Sequence, residues 1–100
     1  MTSHFNDTIK NNKVVMVDFY ADWCIPCKSL SKFISAKLIG NYDFELLKID
    51  VEDKTYKDIV EKYEVSSLPT LLFFKKGKLE KQIIGSKTKE IEETLKNLLE

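Results

Sequence analysis

Residues 14–28 read VVMVDFYADWCIPCK and join a hydrophobic run to two cysteines that lie three positions apart. From residue 14 to 20 both alternating faces are apolar except at Asp18, a pattern typical of a central β-strand covered on both sides. Apolar residues then recur at helical spacing as far as Leu38. This strand, turn and helix decide the fold, and they place both cysteines where the helix begins.

Cys24 and Cys27 are the two cysteines of the chain. Unpaired N–H groups and the positive end of the helix dipole favour a thiolate at Cys24, and we expect its pKa to fall to roughly 3.5 to 7.5. We expect Cys27, one turn further in, to be more buried and to attack a mixed disulfide formed at Cys24. Pro26 suits the first helical turn, where its missing N–H and fixed φ cost nothing. The pattern predicts a redox-active disulfide with Cys24 as nucleophile and Cys27 as resolving thiol.

Length and charge exclude several classes of protein. The chain has 100 residues, which suits a single domain over residues 1–100. Its 16 basic and 16 acidic side chains cancel, which argues against a nucleic-acid partner. No stretch approaches the roughly 20 apolar residues of a membrane helix, and the first residues carry no export pattern. We therefore expect a cytoplasmic protein without a membrane partner, since a disulfide that closes so small a loop stabilises a secreted domain poorly.

The periodicity predicts an α/β fold in which helices and strands alternate before a closing hairpin and helix. Strands separated by helices are expected to pair parallel and hairpin strands antiparallel, so the sheet should be mixed, with helices on both faces. Gly77 can supply the positive φ of the hairpin turn, and Asp53 or Thr55 can cap the third helix. The predicted strands are 14–20, 44–50, 70–74 and 79–84, and the predicted helices lie around 5–9, from the cysteine pair to Leu38, 56–63 and 91–99.

Several motifs together make this sequence resemble the thioredoxin family. They are VDFYADWCIPCK at 17–28, KID at 48–50, LPT at 68–70 followed by LFFKKG at 72–77, and Gly85. The resemblance implies a thioredoxin-like fold and a general protein-disulfide reductase that needs no bound cofactor besides its own redox-active disulfide. It also implies disulfide-containing protein substrates and, as electron donor, a flavin-containing thioredoxin reductase that draws on NADPH. We expect a monomer.

The same resemblance assigns expected roles to residues outside the cysteine pair. Pro69 should have a cis peptide bond beside the cysteines, and Leu68 should offer backbone groups to an extended substrate. Trp23 and Gly85 should form part of an apolar docking surface, which Ile25 enlarges.

Asp18 is an acidic residue in an otherwise apolar strand, and burying a carboxylate without a partner is costly. With the support of the resemblance, we interpret it as a proton acceptor and donor behind Cys27, with a pKa raised by desolvation. The alternative is that Asp18 lies at the solvent-exposed end of the strand and caps the following turn.

The chain departs from the family pattern in three places. Few residues precede the first helix, so we expect four strands, with a short fifth strand at the edge as the alternative. Ile25 stands where family members commonly have glycine, which leaves the redox potential and the choice of partner open. Leu46 stands where bacterial relatives often carry a lysine near the buried aspartate, and Lys48, two residues on, lies on the same strand face.

Other interpretations of the cysteines stay open at this point. A zinc site normally needs four ligands, and His4 is the single histidine that the chain could add, so we expect no metal. A purely structural disulfide explains neither Trp23 nor Asp18. A disulfide oxidase or isomerase would differ only in how strongly the reduced form is stabilised. A non-catalytic docking subunit could use the same apolar surface.

Overall fold

The computed structural model describes residues 2–100, so Met1, the first residue of the expected domain, lies outside the described residues. Within these residues four helices and four strands alternate, except that the last two strands are consecutive. In order they are α1 (Thr2–Asn11), β1 (Val14–Tyr20), α2 (Ile25–Phe33), a π-helical turn (Ile34–Leu38), β2 (Glu45–Asp50), a 3-10 turn (Lys54–Tyr56), α3 (Lys57–Lys62), β3 (Thr70–Lys75), β4 (Lys78–Ile84) and α4 (Thr88–Leu99).

Within residues 2–100 the strands form one mixed sheet in the order β2-β1-β3-β4. β1 is central, because it pairs parallel with β2 and antiparallel with β3. β3 and β4 pair antiparallel as the predicted hairpin, and a bulge at Glu80 shifts the register, since Phe73 pairs with Lys81 and Phe74 with Leu79. The predicted four-stranded mixed sheet is confirmed.

The direction of β3 corrects one expectation from the sequence. We expected strands separated by helices to run parallel, yet β3 runs antiparallel to β1 and starts with Thr70 beside Phe19, where β1 ends. The 19 residues between β2 and β3 are long enough to cross the sheet, yet α3 packs on the face of the sheet and the chain returns to the end at which β2 finishes. Packing of this segment, and not its length, therefore sets the direction of β3.

Helices cover both faces of the sheet, as predicted. On one face, α2, the π-helical turn and α4 pack on Val14 and Met16 through their buried side chains, Leu30, Ile34, Leu38, Ile91 and Leu95. On the other face, Phe5 and Ile9 of α1 and Ile59 of α3 pack on the alternate residues of β1, which are Val15, Val17 and Phe19. Asp18 thus belongs to the sheet face that α2 covers.

Turns and caps follow the sequence signals closely. The hairpin turn has positive φ at both central residues, 52° at Lys76 and 82° at Gly77, which matches the twist of the flanking strands. Gly40, with φ of 88°, lies just beyond the π-helical turn that ends α2. Asp53 caps the turn before α3 by accepting the Thr55 N–H at 3.0 Å, which selects Asp53 from the two predicted caps.

The two-sided core gives a direct stability prediction. Phe73 of β3 is fully buried among α2, α4 and β1, so Phe73→Ala should lower the free energy of unfolding by about 3–5 kcal/mol. Leu79→Ala on β4 is the control, because Leu79 is 42% exposed and its loss should cost less than about 1 kcal/mol. Urea unfolding followed by circular dichroism measures both, and equal losses would contradict the assigned core.

Candidate redox site

Cys24 and Cys27 form a disulfide at the start of α2, with their Cα atoms 5.2 Å apart. The chain leaves β1, makes a turn closed by the Cys24 N–H donating to the Ala21 oxygen at 3.1 Å, and enters the helix. Cys24 is the N-cap, with extended backbone, and its Sγ accepts the Cys27 N–H at 3.2 Å. Pro26 lies in the first turn, where no N–H is needed. One of the unpaired helix donors therefore points at the sulfur of Cys24.

The burial of the two cysteines differs from what we expected. Cys27 was expected to be the more buried residue, but both are 4% exposed in the disulfide form. Both cysteines pack with Ala21 and with half-buried Leu68. In the disulfide, each sulfur also shields the other from solvent. The two cysteines are distinguished by position in the helix: Cys24 is the cap, and Cys27 lies inside the first turn.

The segment before β3 lies against this disulfide. The peptide bond between Leu68 and Pro69 is cis, and Leu68 packs on the cluster formed by Ala21 and the two cysteines. The Pro69 oxygen accepts the N–H of Gly85 at 2.9 Å, and Gly85 itself has φ of 96°. The structure thus brings Leu68, Pro69 and Gly85 together next to the cysteines.

Trp23 and Ile25 flank Cys24 and are the most exposed large hydrophobic side chains within residues 2–100, at 65% and 73%. The Trp23 indole N–H donates to a carboxylate oxygen of Glu52 at 2.8 Å, which fixes the ring against the loop after β2. A cleft of about 320 Å³ opens beside the ring; its lining residues are Trp23, Val51, Val65, Ser66 and Leu68. An apolar side chain of a partner can enter this cleft.

Asp18 is 1% exposed, and its Oδ1 atom has no hydrogen-bond partner within residues 2–100. Burial raises the pKa of this carboxyl from 3.8 to about 6, and the positive charge of Lys48 opposes the rise. Asp18 does not cap the turn after β1, because no hydrogen bond to that turn is formed. A carboxyl with this pKa can exchange a proton near neutral pH.

The register of β1 and β2 shows which residue of β2 stands beside Asp18. Lys48 pairs with Asp18, whereas Leu46 pairs with Met16 and packs against the apolar core. Lys48 therefore brings a positive charge to the level of Asp18 from a position two residues beyond Leu46.

Sequence reasoning missed the residues that complete this surface. Glu52, Val65 and Ser66 come from two loops that were not assigned to the site. Glu52 follows β2 at the carboxyl end of a parallel strand pair, the edge at which sites collect in α/β sheets, and this was the available signal. Val65 and Ser66 carry no comparable signal, because only the fold brings their loop beside Trp23.

Among the residues that the structure describes, no group of three or more histidine, cysteine or acidic side chains could hold a metal ion. No helix in residues 2–100 is long and apolar enough to cross a membrane.

A disulfide that closes within one helical turn can open and re-form while the sheet and helices stay in place. With its sulfurs at a helix start and an apolar cleft beside them, the site defines a thiol–disulfide oxidoreductase.

Comparison with known proteins gives the same class. The thioredoxin family model matches residues 1–97. Thioredoxin-1 of Saccharomyces cerevisiae is 38% identical over 94 residues, which cover 93% of this chain and 88% of that protein. The crystal structure of oxidised mitochondrial thioredoxin 3 from the same yeast matches with a TM-score of 0.88 and 36% identity, covering 96% of this chain and 89% of that one.

A third match is a solved structure concerned with the thiol resolving mechanism of a yeast mitochondrial 1-Cys peroxiredoxin through glutathione and thioredoxin systems. It has a TM-score of 0.80 and 33% identity, and it covers 95% of this chain and 88% of that chain. The chain belongs to the thioredoxin family. It is a protein-disulfide reductase, and its redox-active group is the disulfide between Cys24 and Cys27.

The raised pKa of Asp18 makes stability depend on pH. The folded protein holds this proton more tightly than the unfolded chain, so the free energy of unfolding should fall as the pH rises from 3.8 to about 6. Asp18→Asn removes the charge and should raise the free energy of unfolding by up to about 3 kcal/mol near neutral pH, with little effect below about pH 3.8.

Urea unfolding at a series of pH values measures this difference. Asp43→Asn, which changes an exposed carboxylate, is the matched control and should show no such pH-dependent gain. A constant difference between wild type and Asp18→Asn across the pH range would contradict the buried, proton-binding carboxyl.

Proposed function

We propose that Cys24 and Cys27 divide the reductase reaction between them. In the reduced protein the Cys24 thiolate attacks a substrate disulfide, forms a mixed disulfide and releases one substrate thiolate. Cys27 then gives up its proton and attacks the Cys24 sulfur, which re-forms the internal disulfide and releases the second substrate thiolate. Two electrons pass from the cysteine pair to the substrate. The observation that carries this division is the Cys27 N–H bonded to the Cys24 sulfur at the helix start, since the same donor can stabilise a thiolate there.

Asp18 is the proton acceptor for Cys27 in this scheme and returns the proton in the reverse direction. Its burial, its position on the sheet face covered by α2 and its pKa near 6 support the role. A carboxylate in this range can accept a thiol proton near neutral pH and release it again. Pro26 keeps the first turn of α2 in place during both steps.

Substrates bind across the surface formed by Trp23, Ile25, Leu68, Pro69 and Gly85. The exposure of Trp23 and Ile25 and the apolar cleft beside Leu68 support this assignment. An extended peptide would pair with the backbone of Leu68, and main-chain pairing accepts many sequences. Low sequence selectivity is what a general reductase requires.

The oxidised pair is regenerated by a flavin-containing thioredoxin reductase that draws on NADPH. Substrates are proteins with disulfides, and the matching structure on thiol resolution in a peroxiredoxin supports that class. The protein acts in the cytoplasm as a monomer, with residues 1–100 as one domain. The family match over residues 1–97 and the single sheet support the domain assignment.

Removing the resolving thiol should trap the mixed disulfide. Reduced Cys27→Ser protein, mixed with a purified protein that has one exposed disulfide, should form a covalent complex through Cys24 that dithiothreitol releases. Non-reducing gel electrophoresis and mass spectrometry identify the linkage. Cys24→Ser is the control and should trap far less, and equal trapping by the two variants would overturn the assigned roles.

Removing the proton acceptor should slow resolution more than attack. Asp18→Asn should slow the resolving step on the order of 100-fold near neutral pH, a usual contribution of proton transfer. Stopped-flow fluorescence of Trp23 follows the full cycle, and the same substitution in a Cys27→Ser background isolates the first attack. If both steps slow equally, Asp18 has no specific part in resolution.

A further inference from the structure

Lysines gather at the end of the sheet opposite the disulfide, where β1 begins and the β3–β4 hairpin turns; we call it the hairpin end. Residues 10–17 and 70–79 include five lysines and no acidic residue, in a chain whose net charge is zero. These lysines are Lys10, Lys13, Lys75, Lys76 and Lys78. The Lys76 N–H donates to the Lys13 oxygen at 2.8 Å, which joins the hairpin to the start of β1. The hairpin end therefore carries a cluster of like charges.

The charges of this cluster are not balanced inside the molecule. Lys75 of β3 pairs directly with Lys78 of β4, and like charges at paired positions repel each other. Within residues 2–100 the one ion pair joins Lys81 and Glu90, so none of the five lysines takes part in an ion pair. Adjacent strands are about 4.8 Å apart, less than the Debye length of about 8 Å at physiological salt. The lysines therefore act together on an approaching anionic group.

A cavity of about 490 Å³ opens beside this cluster. Val14 lies in its wall and pairs with Lys75 in the sheet, so the cavity and the paired lysines are neighbours on one sheet face. The other walls come from the end of α1, the loop before β2 and the end of α4. The volume lies within the range of roughly 300–1,000 Å³ that is usual for ligand pockets.

Asparagines give the cavity a polar wall suited to a peptide main chain. Asn12 and Asn41 each donate an Nδ2 hydrogen bond to the main-chain oxygen four residues earlier, at 2.8 and 2.9 Å. With the amide groups held in this way, their oxygens can accept N–H groups of a bound main chain. Asp43 is the one acidic residue that lines the cavity. A concave polar wall beside unpaired lysines fits an extended acidic peptide better than a flat lipid surface.

We propose that the hairpin end binds an extended acidic segment of another protein. The carboxylates of the segment pair with Lys13, Lys75 and Lys78, and its main chain lies in the cavity beside Val14. The seven residues of β1 span about 23 Å, so a segment bound here leaves the disulfide uncovered. A partner held at the hairpin end can therefore be reduced at the other end of the sheet, at the raised local concentration that tethering provides.

The test is the binding of a synthetic peptide of alternating glutamate and serine, measured by calorimetry and by nitrogen-15 NMR of the disulfide form. The peptide should bind saturably at low salt, lose affinity as salt rises, and shift the signals of residues 11–14, 41–44 and 75–78. A peptide with glutamine in place of glutamate is the control for the main chain and should bind about tenfold more weakly.

Replacing three lysines by glutamine tests the cluster itself. Lys13→Gln, Lys75→Gln and Lys78→Gln combined should weaken binding of the acidic peptide about tenfold at low salt, because three surface ion pairs are lost. The control makes the same change at three exposed lysines on helices α2, α3 and α4, which are Lys32, Lys57 and Lys89. The control should bind the peptide as wild type does. Both triple variants should reduce a small disulfide substrate at the wild-type rate, which checks that the redox site is intact.

Equal loss of peptide binding in the two triple variants would overturn the inference, as would signals that shift only around the disulfide or no saturable binding by wild type. Vesicles of phosphatidylcholine and phosphatidylserine are the last comparison. If the vesicles bind through the same three lysines and the peptide does not bind, the hairpin end is a lipid-binding surface and the proposed acidic segment is wrong.

Discussion

The structure depends on one constraint, the burial of β1 on both faces and its pairing at both edges. A strand enclosed in this way cannot shift along its neighbours by one residue, because a shift would turn every side chain to the opposite face. The position of the end of β1 is fixed as a result. The short turn from Ala21 to Cys24 follows directly and is therefore held in place as well. The start of the helix that follows is set by the end of this strand.

The same enclosure raises the pKa of Asp18. A carboxylate in a fully buried strand lowers stability, and the lost solvation raises its affinity for a proton into the range where thiol chemistry takes place. The positive charge of Lys48, an exposed residue on the neighbouring strand β2, opposes this rise in the pKa of Asp18. The register of β1 and β2 places Lys48 beside Asp18. The proton affinity of Asp18 therefore depends on this register as well as on burial.

Much of this could be predicted from the sequence, since a nearly continuous apolar run in β1 indicates a strand covered on both faces, and the apolar stripe from Leu30 to Leu38 indicates the helix on one of them. The direction of β3 could not be predicted from the helix that precedes it, because packing of the segment between β2 and β3 decides at which end of the sheet the chain enters β3. The level at which Lys48 meets Asp18 likewise needed the strand register. The cleft beside Trp23 combines side chains from two distant loops, and neither loop has a pattern of its own that indicates a site.

Both outer strands of the sheet end the hydrogen-bond ladder within residues 2–100, since β2 pairs only with β1 and β4 only with β3. The unpaired backbone groups of such an edge strand can pair with a strand of another polypeptide. Exposed charged side chains along each border make that addition unfavourable; they are Glu45 and Lys48 on β2, and Lys78 and Lys81 around the bulge on β4. Strand addition at either sheet margin is therefore disfavoured, which leaves the backbone beside the disulfide, the substrate surface proposed above, as the more favourable place for an extended polypeptide to pair.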